Sequence, residues 1–222
     1  CQMLVDSTPY LHTWWAAPRI AMTLDHRVNA PKPKFVIVLA DPAERAVRHW
    51  RVISALAARG GGGSGAGKAV GRGDANHMLA YTNGTTLVKK LRAEVKGYTE
   101  CLAARGGSAG GALSAALWQE CTTLACNWHE CVLGAGLYAP QVQHWLRTFA
   151  PERFLLFEET ELREHPEDVA RRLSAFLTLP QPLAAERVLA AANTTRMALP
   201  AVAESVRRAL GGFYERQASE VR

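Results

Sequence analysis

The residues that offer the most chemistry lie where a short apolar run meets the start of a helix. Residues 35–39 are five consecutive apolar residues, and Asp41 and Pro42 follow almost at once. Asp is a good N-cap and Pro suits the first helical position, so the sequence predicts that a helix begins here. Arg45 and Arg48 lie in its first two turns. Because a helix N-terminus attracts phosphate and other anions, this segment is a candidate anion site.

The elements that must position this site alternate between strands and helices. Apolar runs predict a strand at 3–7, a strand buried on both faces at 35–39 and a second short buried strand at 154–157. Helical periodicity predicts helices at about 42–59, 85–104, 112–131, 139–149, 166–177, 183–192 and 201–218. The helix at 139–149 is expected to bury Val142, Trp145, Leu146 and Phe149. This alternation is typical of an α/β protein with a mainly parallel sheet.

Composition limits the class of protein and of partner. The chain has 222 residues, 48% of them apolar and 21% charged, which suits one folded domain. A net charge of +6 favours anionic partners such as nucleotides, glycans, nucleic acid or anionic lipid. Nucleic acid is the weakest of these, because no tract interleaves Lys or Arg with aromatic residues. No apolar run is long enough for a membrane span, and we expect any anchor or targeting segment to precede Cys1.

A glycine-rich stretch at 60–75 is predicted to be a flexible linker or insertion. Within it, Gly62, Gly67 and Lys68 match the spacing of a phosphate-binding P-loop. Ala69 stands where a metal-binding Ser or Thr is needed, and the stretch follows a helix where a P-loop follows a buried strand. The linker is therefore the favoured interpretation, with a P-loop kinase or NTPase as the alternative.

The cysteines favour an oxidising compartment. Five are present, at 1, 101, 121, 126 and 131, and segment 101–136 is expected to be helical. Disulfides between the last three and Cys101, or with a partner outside the chain, are favoured over a metal site formed by His129, Cys126 and Cys131. No metal is predicted. Glycosylation sequons at Asn83 and Asn193 agree with secretion.

Three segments, in this order, resemble the sulfotransferases that act on glycans with the donor PAPS, including the heparan sulfate enzymes. The first is residues 6–11, a short strand end with Thr-Pro and an aromatic residue. The second is residues 39–50, whose Asp-Pro-x-Glu-Arg-Ala core is similar to the family's 3′-phosphate motif. The third combines a Gly-x-Tyr helix at 136–146, the strand after it and Glu161-Leu162. The tail at 213–216 also fits the family.

The resemblance implies a fold and an activity. The fold would be the P-loop-NTPase-like sulfotransferase fold, with a mainly parallel sheet flanked by helices. Residues 1–222 would form a partial domain that lacks the first strand–loop–helix. The protein would transfer a sulfuryl group from PAPS to a hydroxyl or amine of a glycan acceptor and leave PAP. It would act in the Golgi lumen or secretory pathway, with any membrane anchor outside this chain.

The resemblance also assigns donor-binding residues, namely Asp41, Arg45, Arg48 and Arg196. In the family, an Arg before Asp-Pro and a Ser seven residues after that Asp contact the 3′-phosphate. Here these positions are Ala40 and Arg48. Losing one Arg–phosphate contact removes about 2–3 kcal/mol of binding. Two hypotheses follow, either that Arg48 restores the charge or that the site is degenerate. For Arg45, an ion pair with a neighbouring carboxylate is the structural alternative.

Substrate contacts are assigned to Asp6 and Tyr138, although Tyr138 could equally be a packed aromatic residue. The catalytic lysine and the general base are expected upstream of Cys1. Asp6 and His12 could replace the base, but polar positioning or local capping is the favoured role for both. The alternative function is a sulfotransferase-like module that binds a glycan or nucleotide without catalysis, and the residue that favours it is Ala40. The oligomeric state is not predicted.

Overall fold

The structure is a computed structural model that describes residues 11–25, 32–60, 86–106, 114–125, 131–194 and 204–219. In chain order its helices and strands are α1 (Ala16–Ile20, continued by a π-helical turn at Ala21–Asp25), β1 (Phe35–Leu39), α2 (Pro42–Gly60), α3 (Leu87–Ala104), α4 (Ala115–Ala125), α5 (Tyr138–Leu146), β2 (Phe154–Glu158), α6 (Glu161–Glu164), α7 (Pro166–Leu177), α8 (Ala185–Thr194) and α9 (Glu204–Ser219). The chain divides into two compact units. The first unit is Cys1–Ala40 with Tyr138–Met197, and the second unit is Asp41–Leu137 with Ala198–Arg222.

The first unit contains a parallel strand pair, as the alternating pattern predicted. β1 and β2 pair in register from Phe35 opposite Phe154 to Leu39 opposite Glu158. The N–H of Glu159 then donates to the carbonyl of Leu39 at 2.8 Å, which extends the pairing by one residue. Parallel strands need a long crossover connection, and this one runs from residue 40 to residue 153.

Helices cover both faces of this strand pair. On one face Phe35 stacks on Phe154 with ring centroids 5.0 Å apart. These rings pack against a buried cluster made of Ala16, Ala17, Trp145 and Phe149. On the other face Phe157 is buried with Val169, Ala170 and Val188 of helices α7 and α8. Successive side chains of a strand alternate between faces, which is why Phe154 and Phe157 reach different clusters.

The prediction that residues 35–39 are buried on both faces is wrong. Val36 is 41% exposed and Val38 is 46% exposed. They share a face with Phe157, but the described cluster around Phe157 does not include them. Leu146 was also expected to be buried and is 39% exposed, whereas Trp145 and Phe149 are buried as predicted.

The second unit is helical and encloses its own core. Helices α2, α3, α4 and α9 contribute apolar side chains to one cluster, including Ile53, Tyr98, Trp118 and Phe213. A disulfide joins Cys101 on α3 to Cys121 on α4. This pairing confirms the expectation of a disulfide between Cys101 and the later cysteines. Cys131 is also disulfide-bonded.

Two boundaries differ from the predicted elements. The helix predicted at 112–131 ends at Ala125 as described, and Cys131 lies outside any helix. Gly134 and Gly136 follow closely, and a helical glycine costs about 1 kcal/mol relative to alanine. Gly60 is the last residue of α2, while the rest of the predicted linker and the predicted strand at 3–7 lie outside the described residues.

Candidate anion-binding site

Helix α2 begins as its sequence predicts. The Oδ1 atom of Asp41 accepts a hydrogen bond from the N–H of Glu44 at 2.8 Å. The Asp41 carbonyl accepts from the N–H of Arg45, also at 2.8 Å. Pro42 occupies the first helical position, where its missing N–H costs nothing. Asp41 therefore caps the helix, and its carboxylate already occupies part of the helix terminus that would attract an anion.

Arg48 lies one turn further along α2 and pairs with a carboxylate of the same helix. Its Nη2 atom is 3.1 Å from Oε2 of Glu44, and the two side chains are 23% and 39% exposed. An ion pair of this spacing on a helix surface is worth about 0.3–0.5 kcal/mol. The ion pair with Glu44 therefore contributes little to the position of the Arg48 guanidinium.

Arg45 is used differently, although it lies on the same helix. Its Nη2 atom donates to the carbonyl of Val132 at 2.6 Å. The same nitrogen lies 3.4 Å from Nδ1 of His49. Arg45 thus contacts the main chain of a distant part of the second unit. This contact is neither of the roles that the sequence suggested for it, a phosphate contact or an ion pair with a carboxylate.

Val132 belongs to residues 131–137, which we call the buried segment because every residue in it is buried. Side chains from four helices bind its main chain. Besides Arg45, the hydroxyl of Tyr214 donates to the Leu133 carbonyl at 2.9 Å. Nε1 of Trp118 donates to the Gly134 carbonyl at 3.1 Å. The buried segment is therefore fixed by hydrogen bonds to the main chain as well as by apolar packing.

Glu94 supplies the acceptors for this segment. Its Oε1 accepts from the N–H of Val132 at 3.1 Å and its Oε2 accepts from the N–H of Leu133 at 2.6 Å. Glu94 is 2% exposed, and Lys90 lies 3.5 Å from its carboxylate. Burial raises the pKa of Glu94 above its ordinary value, and the two N–H groups and Lys90 only partly oppose that shift.

Two glycines let the buried segment approach its neighbours. A Cβ atom at Gly136 would lie 2.6 Å from the hydroxyl oxygen of Tyr214. A Cβ atom at Gly134 would lie 2.5 Å from Cγ2 of Thr122. Both distances are shorter than van der Waals contact, so a larger residue at Gly136 would displace Tyr214, which binds the segment, and one at Gly134 would displace Thr122.

In the first unit, Tyr138 binds the main chain at the end of β1. Its hydroxyl donates to the carbonyl of Ala40 at 3.1 Å, and the side chain is half-buried. Ala40 is the position at which the resemblance expects a phosphate-binding arginine. Tyr138 was assigned to the substrate, and the structure places its hydroxyl on this carbonyl.

The carboxyl end of β2 carries acidic residues that are paired within the first unit. Glu159 is 3.3 Å from Arg163, and Glu161 is 2.7 Å from Arg172. A hydrogen bond from the N–H of Glu158 and the neighbouring Arg172 hold the pKa of Glu161 below its ordinary value. Arg172 also lies over the ring of Phe157, 4.5 Å from its centroid. These residues stabilise the turn between β2 and α6.

Comparison with known proteins gives one informative likeness. No protein-family model matches the chain, and no curated protein sequence matches it. Among solved structures, a sulfotransferase from Alicyclobacillus acidocaldarius is similar, with 17% sequence identity and a TM-score of 0.50. The likeness covers 96% of this chain and 60% of that one. This chain has an α/β sulfotransferase fold. At this identity the likeness shows the fold alone, and the heparan-sulfate type stays a prediction.

Several predicted residues fall outside the part of the chain that the structure describes. Asp6, Arg196 and the P-loop-like residues 62–68 are among them. His12 is described and half-buried. Within the described ranges, no three His, Cys, Asp or Glu side chains form a group that could hold a metal ion. None of the helices described there is long and apolar enough to cross a bilayer.

Of the predicted donor ligands, the structure places Asp41, Arg45 and Arg48 together at the start of α2. Among them, Arg48 forms an ion pair with the exposed side chain of Glu44. The residues that the sequence did not single out are Glu94, Trp118 and Tyr214, which fix the buried segment.

Proposed function

We propose that this chain belongs to an enzyme that transfers a sulfuryl group from PAPS to a hydroxyl or amine of a glycan. The observation that carries the proposal is the start of α2, where a capped helix follows a strand of a sulfotransferase fold and presents the guanidinium of Arg48. Anions bind at helix N-termini of this kind in α/β proteins. The similarity in fold to a bacterial sulfotransferase supports the proposal of sulfuryl transfer.

The residues at the start of α2 fit a phosphate group. Arg48 stands in place of the two side-chain contacts, one Arg and one Ser, that the resemblance expects. Arg48 is partly exposed and its ion pair with Glu44 is weak, so this pair would oppose a phosphate contact only slightly. Arg45 stays with Val132 and contributes positive charge without direct contact. PAPS would supply the activated sulfuryl group, and the role of these residues would be to bind and orient its 3′-phosphate. Positioning and charge stabilisation are what such transfers mainly ask of a protein.

The test is calorimetric titration of PAP into the folded chain. The account predicts micromolar binding that weakens by about tenfold or more in Arg48→Ala, since a charge-assisted contact is worth about 1.5–3 kcal/mol. AMP, which lacks the 3′-phosphate, serves as the control ligand and should bind weakly to both proteins. The absence of binding to a chain with an intact thermal unfolding transition would contradict the donor assignment.

The second candidate is a sulfotransferase-like module that binds a glycan or nucleotide without catalysis. Three observations favour it, namely Ala40 in place of an arginine, the commitment of Arg45 to Val132 and the occupation of the Glu44 N–H by Asp41. Glycan binding that is unaffected by PAP, together with no PAP binding, would select this candidate.

The glycan acceptor and the Golgi or secretory location are part of the same proposal, with any membrane anchor lying outside these residues. The Cys101–Cys121 disulfide supports an oxidising compartment. Asn193, in one of the two sequons, is exposed near the end of α8. A secreted preparation should lose mass on treatment with a peptide N-glycosidase, and unmodified Asn193 in protein from a secretory host would contradict glycosylation there.

A further inference from the structure

Helix α3 presents a row of cations on its solvent side. Lys89, Arg92 and Lys96 are exposed and follow one another at spacings of three and four residues. An α-helix has 3.6 residues per turn, so the three side chains lie within about 60° of one another around the helix axis and span about 10 Å along it. We call them the basic stripe. The buried residues of α3, including Leu91 and Tyr98, lie on the opposite side of the helix.

Neighbouring carboxylates do not balance the charge of the basic stripe. Lys96 lies 3.8 Å from Glu100, and the two side chains are 75% and 66% exposed, so this ion pair contributes little to stability and is screened by salt. No carboxylate of the described residues forms an ion pair with Lys89 or Arg92. Like charges three or four residues apart slightly destabilise a helix, so the stability of α3 does not explain the row.

We propose that the basic stripe binds an acidic linear glycan, whose sugars carry sulfate or carboxylate groups at intervals along the chain. The stripe is complementary in charge to such a ligand, and its length lets it contact more than one anionic group at once. Basic clusters of this kind are known to bind polyanions such as heparin. This inference rests on the proposed function, because it names the acidic class of glycan and a surface that would hold it.

The surroundings of the stripe favour a glycan over other polyanions. Single-stranded nucleic acid needs aromatic side chains on which its bases stack, and Tyr98, the one aromatic residue of α3, is buried. A helix that lies on an anionic membrane inserts its apolar face into the lipid. The apolar face of α3 is instead packed in the core of the second unit, with Leu91 and Leu102 among its residues.

The experiment is calorimetric titration of a heparin-derived hexasaccharide into the full chain at physiological ionic strength. The test variant is Lys89→Ala/Arg92→Ala/Lys96→Ala. All three side chains are exposed and alanine is the best helix former, so its thermal unfolding transition should stay close to that of the wild type. We expect its affinity for the hexasaccharide to fall by about tenfold or more, because three charged contacts are lost. The salt dependence of binding should become shallower for the same reason.

Two further variants separate the stripe from the net charge of the chain. The matched control, Arg19→Ala/Arg147→Ala/Arg187→Ala, removes the same charge from three exposed positions of the first unit. Its affinity for the hexasaccharide should change by less than about threefold. Glu100→Gln removes the carboxylate beside Lys96 and should tighten hexasaccharide binding by about twofold.

Three outcomes would refute the basic stripe as a glycan site. The first is an equal loss of affinity in both triple variants, since net charge would then explain the binding. The second is a wild-type chain that does not bind the hexasaccharide. The third is tighter binding of a single-stranded oligonucleotide or of phosphatidylserine vesicles, which would assign the stripe to a different partner.

Titration of PAP into the same proteins keeps this inference apart from the proposed donor site. The stripe includes none of the residues assigned to the donor, so the test variant should bind PAP as the wild type does. A chain that binds PAP but not the hexasaccharide would refute the stripe alone. A chain that binds the hexasaccharide through the stripe but does not bind PAP would refute the donor assignment alone.

Discussion

Arg45 and Arg48 lie three residues apart on α2, and the structure uses them in opposite ways. Arg45 reaches the main chain of the buried segment, where side chains of α2, α3, α4 and α9 bind neighbouring carbonyl and N–H groups. Arg48 pairs with Glu44 on the same helix near the solvent. The buried segment and the start of α2 therefore both contain charged groups, but in different surroundings.

The difference shows how burial changes the role of a charge. A buried hydrogen bond to a charged group is costly to break, because the partner left behind has no water to bind. An exposed ion pair contributes little and can exchange partners, since water screens it and replaces it. Residues around the buried segment thus stabilise the fold, whereas the Arg48–Glu44 pair at the start of α2 contributes little to it. Four predictions test this contrast, from the largest expected effect to the smallest.

Replacement of Glu94 should have the largest effect. Glu94→Ala removes the acceptor for two buried N–H groups and leaves the nearly buried ammonium of Lys90 without this carboxylate. Removing one partner of a buried ion pair typically lowers the free energy of unfolding by about 3–5 kcal/mol. Urea unfolding should show this loss, whereas the matched variant Glu100→Ala on the same helix, 66% exposed, should change stability by less than about 0.5 kcal/mol. Equal effects of the two variants would remove the distinction between the regions.

Removal of the Cys101–Cys121 disulfide should have the next largest effect. The bond joins α3 and α4, the helices that carry Glu94 and Trp118, across a sequence separation of 20 residues. Closing a loop of this size stabilises a fold by about 3 kcal/mol in the chain-entropy model. Cys101→Ala/Cys121→Ala should lower the unfolding free energy by that order, as measured in urea. A double variant as stable as the wild type would show that the two helices are held together without the bond.

The two arginines should separate stability from binding. Arg45→Ala leaves the buried carbonyl of Val132 without its donor and should cost about 1.5–3 kcal/mol. Arg48→Ala should cost less than about 0.5 kcal/mol and act instead on PAP affinity. Thermal unfolding and calorimetry on both variants test this pair. The reverse pattern, with Arg48 the stabilising residue, would overturn the comparison.

The smallest of the four effects should be the pH dependence of stability that Glu94 produces. Burial raises its pKa above the ordinary 4.5, so the folded chain holds this proton more tightly than the unfolded chain. The stability that protonation of Glu94 contributes is present below pH 4.5 and is lost as pH rises through the raised pKa. Relative to Glu94→Gln, the wild type should therefore become less stable as pH rises through that interval. A relative stability that grows with pH would contradict a raised pKa.

Local signals in the sequence were sufficient for the elements around the candidate site. Five apolar residues predicted β1, and Asp41-Pro42 predicted both the start of α2 and its cap. Alternation of strands with helices predicted the parallel pairing and the fold class. Each of these depends on residues within a few positions of one another, which is the range over which sequence patterns are informative.

The wrong predictions concern the burial of β1 and the end of a helix. Both depend on contacts with residues far along the chain. Residues 35–39 are as apolar as a strand buried on both faces, yet α7 and α8 cover Phe157 of β2 and leave Val36 and Val38 exposed. The predicted helix to residue 131 failed for a related reason. The N–H groups of Val132 and Leu133, just beyond it, bind the carboxylate of Glu94, 38 and 39 residues earlier in the sequence.

The sequence predicts the role of Glu94 only in part. It shares a helix face with Leu91, Tyr98 and Leu102, so the spacing places it among buried residues. Its partners at 132 and 133 could not be read from that spacing. Similarly, nothing near Arg45 in the sequence indicates Val132, which is 87 residues away. Motif resemblance assigns both Arg45 and Arg48 to the donor, and only the tertiary structure shows that Arg45 binds Val132.

Hydrogen–deuterium exchange of the folded chain with and without PAP tests the central claim most directly. The account predicts slower exchange on PAP binding in peptides that cover residues 41–48, and no change in the buried segment, which is already fixed. It also predicts that Arg48→Ala abolishes the effect at matched PAP concentration. Protection elsewhere with none at 41–48, or PAP binding that leaves exchange there unchanged, would contradict a donor site at the start of α2.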